Sequence, residues 1–489
     1  VGKEEDFTSW YIQVLLKTEV LSYTKVAGCY ALRPYGYELW EILKSYIDSK
    51  LKSRKVQNAY FPLFAVREDL EKEAAHLAGF APEVAWIEQK GETDKSKQLA
   101  IRPTSETIIY PIIKDWFQTY RDLPLRLNQW CNVVRWEFSG TLPFLRSREF
   151  LWQEGHSCFA SEDEALEDVK DKLELYRRVY EELLAVPVIP GQKSQKEKFS
   201  GAEETLTVEA FIPSKGKAIQ GATSHYLGKI FSTLFDLKFM NEKGSLEHVF
   251  QTSWGLTTRA LGIAIMIHGD DKGLVFPPAL APIQFIIVPL FRKKTPPETV
   301  QVILDEANKL LREGEEGGLR GSIDLRSDLR PGFKYNYWEQ RGVPLRIELG
   351  ERELKEKHLA VARRDVERKI TLERDSWLGG IRSQLGQMQV RLYNRANEQL
   401  QRRCQLVDNL EDGIEEVRQK NYILVPWCGT PECEELTKKK GKEAGVSFKS
   451  LCTPLSFRPG DLPENAKEGS LCFSCGKEVE LLWLWGDSY

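Results

Sequence analysis

The N-terminal part of the chain mixes helical and strand periodicity. In residues 37–56 apolar side chains recur every three to four positions, which predicts an amphipathic helix. Residues 59–61 are typical of a short strand, which the following proline ends. Two longer stretches, 133–138 and 144–156, are typical of strands joined by a Ser-Gly-Thr-Leu-Pro connection, and they predict an antiparallel hairpin. Residues 162–184 follow as a charged amphipathic helix.

A second pattern begins after the Gly- and Pro-rich stretch 269–282, which we interpret as a domain boundary. Beyond it, apolar strands alternate with helical segments, an order typical of a small α/β domain. The predicted strands are 285–290, 321–325, 345–349 and 358–363, and the predicted helices are 298–312 and 331–341. A long helix over 382–420 then leads to a third region, 421–489, which carries paired cysteines.

Composition is that of a globular protein. The 489 residues correspond to roughly three domains, and 42% hydrophobic with 29% charged residues excludes a largely disordered chain. A net charge of −3 excludes a strongly basic protein that coats polyanions, but it allows a local nucleic-acid site. Residues 1–10 lack an apolar signal core, and the longest apolar run, 261–267, is far shorter than the ~18 residues of a membrane helix. The chain does not begin with Met, so we expect that a preceding segment was trimmed.

The predicted hairpin concentrates charged and aromatic side chains on one face. Because side chains at i and i+2 share a strand face, Arg135 and Glu137 point together on the first strand. Two further arginines, Arg146 and Arg148, lie at the start of the return strand. One face of that strand carries aromatic and charged side chains, those of Phe150, Trp152, Glu154 and His156. A solvated face with surface ion pairs is the alternative. Aromatic rings among the charges favour the floor of a binding site.

Three further segments are candidates to face that floor. Arg102-Pro-Thr-Ser-Glu106 places a hydroxyl and a carboxylate on one side if extended, and it is also compatible with a helix N-terminus. Gln220-Gly-Ala-Thr-Ser-His225 combines small residues, hydroxyls and a histidine, and its alternative is a polar loop. Ser253-Trp-Gly-Leu-Thr-Thr-Arg259 precedes an apolar helix. An arginine in a first helical turn opposes the macrodipole, so Arg259 indicates an anionic ligand unless it lies on the surface.

Several common catalytic motifs are missing from the sequence. It contains no G-x-x-x-x-G-K-[ST] phosphate loop, no G-x-S-x-G elbow and no H-E-x-x-H pair. A nucleotide bound here would therefore be held by arginines and a sheet.

The nine cysteines fall into two groups. Cys428-x₄-Cys433 and Cys472-x₂-Cys475 are two close pairs far apart, a spacing that fits a tetrahedral zinc site of four thiolates. Cys452 could substitute as a ligand, and reduced thiols without a metal are the alternative. The remaining cysteines are scattered, which suits thiols in a reducing compartment such as the cytoplasm.

At these residues the sequence resembles the class II aminoacyl-tRNA synthetases. Residues 37–62 are similar to the first motif of that class, the hairpin with Arg135-Trp-Glu137 to the second, and 255–259 to the third. Within the class, 102–106, 131–137 and 151–156 resemble the prolyl-tRNA synthetases of the archaeal and eukaryotic cytosolic type. The resemblance extends over essentially the whole chain, and the class I signatures HIGH and KMSKS are absent.

The resemblance implies three domains. An α+β catalytic domain built on an antiparallel sheet would occupy 1–278, an α/β anticodon-binding domain 283–390, and a small α+β zinc domain 400–489. The first motif forms the dimer interface in the family, which implies a homodimer. Residues 156–253 are too few to hold the editing insertion of bacterial-type relatives, so we expect no internal editing.

The implied activity is ligation of proline to tRNA. L-Proline and ATP would form prolyl-adenylate and pyrophosphate, and proline would then move to the 3′ end of tRNA-Pro. A carboxylate nucleophile needs no general base, so catalysis is positioning and neutralisation of phosphate charge, here by Arg135 and Arg259. The alternatives are another class II synthetase and a catalytically inactive synthetase-like protein that binds RNA or a partner. The presence of Arg135, Glu137 and Arg259 together argues against the inactive protein.

The resemblance also implies site residues. Those that match the ATP site of the family, where Mg²⁺ bridges phosphate oxygens, are Arg135, Glu137, Arg146, Ser147, Phe150, Gln220, Thr223, Thr257 and Arg259. Those that match its proline pocket are Thr104, Glu106, Arg135, Trp152, Glu154, His156, Phe211 and His225. Candidates for reading the anticodon, each equally compatible with a solvated charge, are Arg346, Glu348, Arg352, Arg363 and Arg364. The zinc would be structural, because four thiolates leave no open position.

Overall fold

A long, mostly antiparallel sheet dominates the computed structural model, which describes residues 1–76, 84–88, 94, 97–136, 140–292, 294–455, 470–479 and 481–489. This sheet contains strands from both the N-terminal and the C-terminal part of the chain, and a separate mixed sheet is formed by the residues between them. The predicted fold class, an antiparallel α+β domain followed by an α/β and a small α+β domain, is confirmed. Within the described ranges, no helix is both long and apolar enough to cross a membrane.

The N-terminal part holds the residues of the predicted site. Its helices are α1 (Phe7–Lys17), α2 (Pro34–Ser53), α3 (Arg67–His76), α4 (Glu106–Ile113), α5 (Glu162–Arg178), α6 (Ile230–Leu234) and α7 (Arg259–His268). Its strands are β1 (Leu21–Tyr23), β2 (Tyr30–Leu32), β3 (Gln57–Asn58), β4 (Phe64–Val66), β5 (Ala85–Trp86), β6 (Leu99–Ile101), β7 (Leu125–Val134), β8 (Glu149–Phe159), β9 (Ile189–Gln192), β10 (Glu204–Ile212), β11 (Lys217–Gly228), β12 (Lys238–Met240), β13 (Leu246–His248) and β14 (Phe250–Thr257). In the long sheet these strands follow the order β9-β10-β11-β14-β8-β7-β3.

The middle part is built on a five-stranded sheet of order β16-β15-β17-β18-β19 among the described residues. Its strands are β15 (Phe285–Leu290), β16 (Gly321–Ile323), β17 (Leu345–Gly350), β18 (His358–Arg363) and β19 (Lys369–Glu373). Its helices are α8 (Pro297–Glu316), α9 (Pro331–Gln340), α10 (Glu351–Glu356) and the long α11 (Trp377–Arg402). The predicted strands and helices of this domain therefore all occur, within a few residues of their predicted bounds.

The C-terminal part adds strands to the far edge of the long sheet. Its strands are β20 (Cys404–Leu406), β21 (Tyr422–Pro426), β22 (Lys449–Pro454), β23 (Ser470–Leu471), β24 (Glu478–Val479) and β25 (Leu482–Gly486), and its helices are α12 (Leu410–Arg418) and α13 (Pro431–Glu443). The order β20-β21-β25-β22 continues into β9 of the N-terminal part. Gly191 permits this junction, because a Cβ at that position would lie 2.3 Å from the sulfur of Cys452 on β22.

One face of the long sheet is covered by α5. This helix packs across β10, β11 and β14, and its Tyr176 hydroxyl donates a 2.8 Å hydrogen bond to Gln153 on β8. On the same helix the buried Lys172 ammonium lies 2.6 Å from the Asp168 carboxylate, which also accepts a hydrogen bond from Thr252 of β14. Because this face is filled, the side chains on the opposite face of β8 are the ones available to a ligand.

The hairpin occurs, but it is shifted along the chain from its predicted position. Its first strand ends at Val134 and its return strand begins at Glu149, so that Arg135 and Arg146 lie in the connection between them. In its second half the chain makes a tight turn, since the backbone groups of Leu142 and Arg146 exchange two 2.9 Å hydrogen bonds. Phe144 and Leu145 of this connection pack into the main hydrophobic core instead of extending a strand.

The prediction of a single helix over 382–420 is wrong. The helix α11 ends at Arg402, and Cys404–Leu406 then pairs in parallel with β21. A new helix follows, whose N-cap Asn409 accepts a 2.9 Å hydrogen bond from the backbone N–H of Asp412. The short apolar run at 404–407 completes a sheet edge, which is a non-local contact that helical periodicity does not reveal.

An arginine predicted to face RNA instead joins two domains. The side chain of Arg364, at the end of β18, is 2% exposed and donates a 2.8 Å hydrogen bond from Nη1 to Oδ2 of Asp270 in the N-terminal part. Its Nε also donates to the carbonyl of Glu339 at 2.8 Å. With its guanidinium buried at this joint, Arg364 is not available to read an anticodon.

We expect Arg364→Met to destabilise the joint between these domains. The change removes a buried charge whose partner, Asp270, is 43% exposed and can be rehydrated, so the expected loss is moderate, about 1–3 kcal/mol. Urea and thermal unfolding would measure it, with the exposed Arg368→Met as the matched control. Equal unfolding midpoints for the two variants would contradict the assignment.

Candidate functional site

Strand register assembles the site on the open face of the long sheet. Directly opposite residues on neighbouring strands point to the same face, so register alone aligns side chains from distant parts of the sequence. Three such rows cross the sheet: Cys131-Trp152-Thr257, Gln129-Glu154-Gly255-Thr223, and His156-Ser253-His225-Thr205. The predicted alternation of Phe150, Trp152, Glu154 and His156 on one strand face holds, because all four side chains line the same cavity.

The cavity over these rows has a volume of about 290 Å³. The structure brings most of the predicted site residues into its wall. They are Thr104, Glu106, Arg135, Arg146, Ser147, Phe150, Trp152, Glu154, His156, Gln220, Thr223, His225, Thr257 and Arg259. One cavity therefore contains residues that the resemblance assigns to two different ligands.

Phe211 is a correction to the predicted site. It lies six residues beyond Thr205 on β10, roughly 20 Å along the strand, and past a register shift between Val208 and Glu209. Its ring packs 4.7 Å from that of Tyr422, in a buried cluster shared with the C-terminal part. The predicted contact of Glu137 with adenine lies outside the described residues.

Sequence reasoning missed a second wall of the cavity. The segment between β9 and β10 contributes Glu197, Lys198 and Phe199 to the lining. The ring of Phe199 lies 5.0 Å from that of His225. The segment has the polar, charged composition of a surface loop and no period, so nothing local marked it as part of a site.

A buried ion pair occupies the centre of the cavity floor. Glu154 is 2% exposed, and its carboxylate accepts hydrogen bonds from the hydroxyl of Ser105, from Nε2 of Gln129 at 3.0 Å and from Nε2 of His156 at 3.1 Å. The other ring nitrogen of His156 lies 2.9 Å from the Tyr110 hydroxyl. Burial alone would raise the pKa of Glu154, but the hydrogen bond and charge of His156 lower it overall. The pKa of His156 is raised in return, against its burial, by the same contact.

A second carboxylate lies at the same end. Thr104 donates a hydrogen bond to Glu106, which is 5% exposed at the start of α4. Burial raises the pKa of the neighbouring Glu73 to about 9, with repulsion from Glu106 as a further cause. Glu73 is therefore uncharged near neutral pH, and Glu106 is the member of this pair that lines the cavity.

Two arginines from different elements give the other end its positive character. Arg135 donates from Nε to the carbonyl of Pro103 at 3.1 Å, and its guanidinium lies 5.5 Å from the ring centroids of both Phe150 and Trp152. Arg259, the first residue of α7, donates from Nε to the carbonyl of Leu145 at 3.1 Å. Backbone carbonyls thus fix both guanidinium planes, beside a helix N-terminus that favours an anion.

His225 is a neutral member of the floor. Burial, reinforced by the positive charge of His156, lowers the pKa of His225 to about 3. Its Nδ1 lies 2.9 Å from the hydroxyl of Thr205, which holds the ring in place. A neutral ring supplies shape and a polar atom here without adding to the positive charge of the arginines.

The cavity is therefore divided by charge. At one end Glu154 contacts His156, and the charge of Glu106 acts on the same ring, so this end suits a cationic amine. At the other end Arg135 lies over Phe150 and Trp152. Arg259 there donates hydrogen bonds to the carbonyls of Leu145 and Gln220, so that end suits an anion such as a polyphosphate. The site can hold a small zwitterion with its carboxylate next to a phosphate chain. That arrangement is what carboxylate attack on phosphorus requires.

Comparison with known families identifies the class II subgroup to which the chain is similar. Residues 86–268 match the tRNA synthetase class II core domain (G, H, P, S and T), residues 284–384 match an anticodon binding domain, and residues 410–489 match the prolyl-tRNA synthetase C-terminal domain. A cytoplasmic proline–tRNA ligase of Arabidopsis thaliana is 46% identical over the whole chain, which covers 90% of that relative. The chain belongs to the proline–tRNA ligase family. It is thus an aminoacyl-tRNA synthetase, as the sequence motifs predicted.

Other relatives in the proline–tRNA ligase family have different architectures. A proline–tRNA ligase of Encephalitozoon cuniculi is 41% identical over the whole chain, which covers 98% of it. A bifunctional glutamate/proline–tRNA ligase of Cricetulus griseus is 44% identical, and there the chain covers 33% of the relative. The same unit therefore occurs both nearly alone and as a third of a larger protein.

The paired cysteines converge in the C-terminal domain of this family member. The four sulfur atoms of Cys428, Cys433, Cys472 and Cys475 lie within 4.8 Å of one another, with Cys428–Cys475 at 3.7 Å and Cys433–Cys472 at 3.8 Å. Zinc–sulfur bonds of about 2.3 Å in a tetrahedron place sulfurs about 3.8 Å apart. A hydrogen bond from Cys433 lowers the pKa of Cys472 to about 4, against its burial. The donor set and spacing are compatible with zinc.

Cys452, the predicted substitute ligand, is not part of this cluster. It is fully buried on β22, in the apolar cluster that joins the two ends of the long sheet. The cluster has a hydrogen-bond donor beside it: the indole N–H of Trp427 donates to the sulfur of Cys433 at 3.3 Å. A donor next to a metal ligand stabilises its thiolate form.

The remaining anticodon candidates differ in their availability. Arg346 pairs with Glu348 at 3.0 Å, and Arg363 with Asp365 at 2.8 Å, so reading a base would require each to exchange its partner. Arg352 is 77% exposed, and in the part of the chain that the structure describes its ion pair is with Glu356 of its own helix, at 3.1 Å. Glu348, the fourth remaining candidate, already pairs with Arg346 and with Lys369 at 2.7 Å. Arg352 is therefore the easiest of the three arginines to redirect toward RNA.

The cysteine cluster generates a prediction about metal content. The purified chain should contain about one Zn²⁺, because one tetrahedral thiolate site is present in the described residues. Cys472→Ser should lose most of it, whereas Cys452→Ser, the matched control, should keep it. Elemental analysis together with release of zinc to a chromogenic chelator measures both. Equal loss in the two variants would contradict the ligand set.

Proposed function

We propose that the chain activates L-proline with ATP, forming prolyl-adenylate and pyrophosphate, and then transfers proline to the 3′ end of tRNA-Pro. The observation that carries the proposal is the charge division of one cavity, with Glu106 and Glu154 at one end and Arg135 and Arg259 at the other. The anticodon-binding and C-terminal matches, and the names of the relatives, support proline and its tRNA as the substrates.

The ATP end follows from the arginines and the sheet. Arg135 would hold the α-phosphate and Phe150 would stack on adenine, while Glu137 remains the proposed partner of the adenine amino group. Further contacts to the nucleotide would come from Arg146, Ser147, Gln220, Thr223, Thr257 and Arg259. Mg²⁺, which class II synthetases use with ATP, would add positive charge along the phosphate chain when bound.

The proline end needs a partner for a charged secondary amine and a wall for an apolar ring. Glu106 with Thr104, and Glu154 paired with His156, would surround the amine, while Trp152 and the neutral His225 would face the ring. Phe199, which lies beside His225, takes the place in this pocket that Phe211 was predicted to fill. The resulting pocket is shaped mainly by contacts, and contacts alone distinguish amino acids of similar size poorly.

Activation then needs little acid–base chemistry. A carboxylate oxygen of proline would attack the α-phosphorus, a new P–O bond would form, and the bond to the bridging oxygen of pyrophosphate would break. Arg135 would hold the proline carboxylate and the α-phosphate together, and Arg146 and Arg259 would stabilise the charge that accumulates on pyrophosphate. The fixed guanidinium planes of Arg135 and Arg259 support this assignment, because they reduce reorganisation during the reaction.

We propose further that the zinc is structural and that the enzyme acts in the cytoplasm. Four thiolates fill a tetrahedral coordination sphere and leave no position for a substrate. The Arabidopsis thaliana relative is named as the cytoplasmic enzyme, and free thiols are spread through the chain. Both features are consistent with a reducing compartment.

We expect proline-dependent exchange of pyrophosphate into ATP, and Arg259→Gln should lower its kcat/KM about 100-fold, since one donor to a developing charge is lost. Arg402→Gln, 80% exposed on α11, is the matched control and should leave the rate unchanged. Running the assay with a panel of amino acids tests the specificity. Exchange with another amino acid but not proline would favour another class II synthetase, and no exchange at all would favour the inactive alternative.

We also propose a homodimer formed by the surface of the first motif. Two large side chains of this motif are exposed, Tyr37 and Tyr60, of which Tyr60 is 75% exposed. Phe64, Ile112 and Trp116, outside the motif, are also exposed. A contiguous apolar patch marks an interface, and the ring of Trp116 stacks 5.8 Å from Phe61 of the first motif, which brings it beside that surface. Light scattering at micromolar concentration should give twice the chain mass. Tyr60→Asp should weaken association, whereas Leu325→Asp, 61% exposed in the anticodon-binding domain, should not. A monomeric wild type would contradict the proposal.

A further inference from the structure

One wall of the substrate cavity is held from the C-terminal domain. This wall is the segment 193–199 between β9 and β10, whose Glu197, Lys198 and Phe199 line the cavity. The backbone N–H of Phe199 donates to the hydroxyl of Thr205 at 3.1 Å, and the same hydroxyl lies 2.9 Å from Nδ1 of His225. The wall therefore meets the cavity at the end proposed for proline.

The opposite side of the wall faces α13. The ammonium group of Lys438 donates to Glu197 at 2.7 Å and lies 2.8 Å from Glu434 of its own helix. Glu434 is 1% exposed, and its carboxylate also accepts a 2.8 Å hydrogen bond from Ser450 of β22. Lys438 is thus placed between a fixed, buried carboxylate on one side and a cavity-wall carboxylate on the other.

The helix α13 is itself anchored to the cysteine cluster. Cys433 lies in its first turn, immediately before Glu434, and Cys428 precedes the helix. One turn later the hydroxyl of Thr437 donates at 2.7 Å to Ser474, between the two other cysteines. A cluster closed on zinc would set the position of the helix, and through Lys438 the position of the wall.

We propose that Lys438 is a positioning residue for the proline site, which orders the wall 193–199 by holding Glu197 against α13. The inference rests on the proposed function only for its substrate; the contacts exist independently of it. Lys438 acts through Glu197 and Phe199 and touches no substrate. The C-terminal domain thereby acquires a role in amino-acid binding, in addition to its structural metal site.

An ordinary surface ion pair is the competing explanation, and such pairs contribute little. Two observations favour positioning. Lys438 is only 26% exposed and contacts two carboxylates, one of them buried. A second contact joins the same two elements, between Lys196 of the wall and Glu435 of α13. A merely structural pair would change stability without changing one substrate constant selectively.

The test compares Lys438→Met with Lys439→Met in the pyrophosphate exchange assay. Lys439 is the next residue on the same helix, 74% exposed, and its one ion pair among the described residues is with Glu443 at 3.9 Å. We expect Lys438→Met to raise the KM for proline about tenfold, because small misplacements of a binding wall are costly. The KM for ATP should stay near wild type, as should all constants of Lys439→Met. The unfolding midpoint of Lys438→Met should fall moderately, because the buried Glu434 loses a partner. Lys438→Arg, which keeps the charge, should recover most of the affinity for proline.

Glu197→Gln tests the same contact from the wall without altering α13. It should reproduce the rise in the KM for proline, and the double variant with Lys438→Met should be no worse than either single variant, because both remove one interaction. The proposal is overturned if Glu197→Gln leaves that KM unchanged, or if Lys438→Met behaves as Lys439→Met. It is also overturned if the KM values for proline and ATP rise together with a fall in the unfolding midpoint.

Amide hydrogen exchange provides a readout that does not depend on activity. Exchange at residues 194–199, followed by mass spectrometry, should be faster in Lys438→Met than in Lys439→Met, and removal of zinc by a chelator should have the same effect. Amides of β17 in the anticodon-binding domain serve as the internal control. If the wild type activates no amino acid, the proposed function fails, and the exchange comparison alone decides whether Lys438 orders the wall.

Discussion

The register of the long antiparallel sheet is the constraint on which the site depends. Glu154 faces Gln129 on one neighbouring strand and Gly255 on the other, and His156 faces Ser253. A slip of one residue on β8 would turn its charged and aromatic side chains toward α5 and bring Gln153 into the cavity. Helix α5 opposes that slip, because Tyr176 and the Lys172–Asp168 pair already fill the covered face.

The charged side chains of the site are held in fixed positions on this sheet. The Glu154–His156 pair is buried and surrounded by donors, so both groups keep their charges where burial alone would neutralise them. Arg135 and Arg259 come from a loop and a helix start, and backbone carbonyls hold their guanidinium groups. Opposite charges can coexist in one small cavity because each is tied to its own element of the fold.

The three domains are joined by different physical means. The C-terminal part continues the long sheet, because β22 pairs with β9. This joint consists of backbone hydrogen bonds, which do not depend on surface side chains. The anticodon-binding part is joined to the N-terminal part by the buried side chain of Arg364, which pairs with Asp270. The wall at 193–199 lies beside the first of these joints, which is why a helix of the C-terminal part can contact it.

Some features of this protein follow from the sequence by itself. The strands Phe285–Leu290 and His358–Arg363 have bounds that match the prediction, because continuous apolar runs between turn signals are local signals. The cysteine pairs indicated their cluster through spacing, and the alternation over 150–156 placed four side chains on one face. Each of these inferences needs only the period of one element and the chemistry of its residues.

Only the tertiary structure decided which elements meet. Phe199 lies in the cavity and Phe211 does not, although both are aromatic residues near polar strands. Phe199 precedes β10 and packs beside His225, whereas Phe211 lies near the far end of β10 and packs on Tyr422. Arg364 is buried at a domain joint, and the helix predicted over 382–420 is interrupted by a strand. The partners of these residues are distant in sequence, and no local pattern carries information about them.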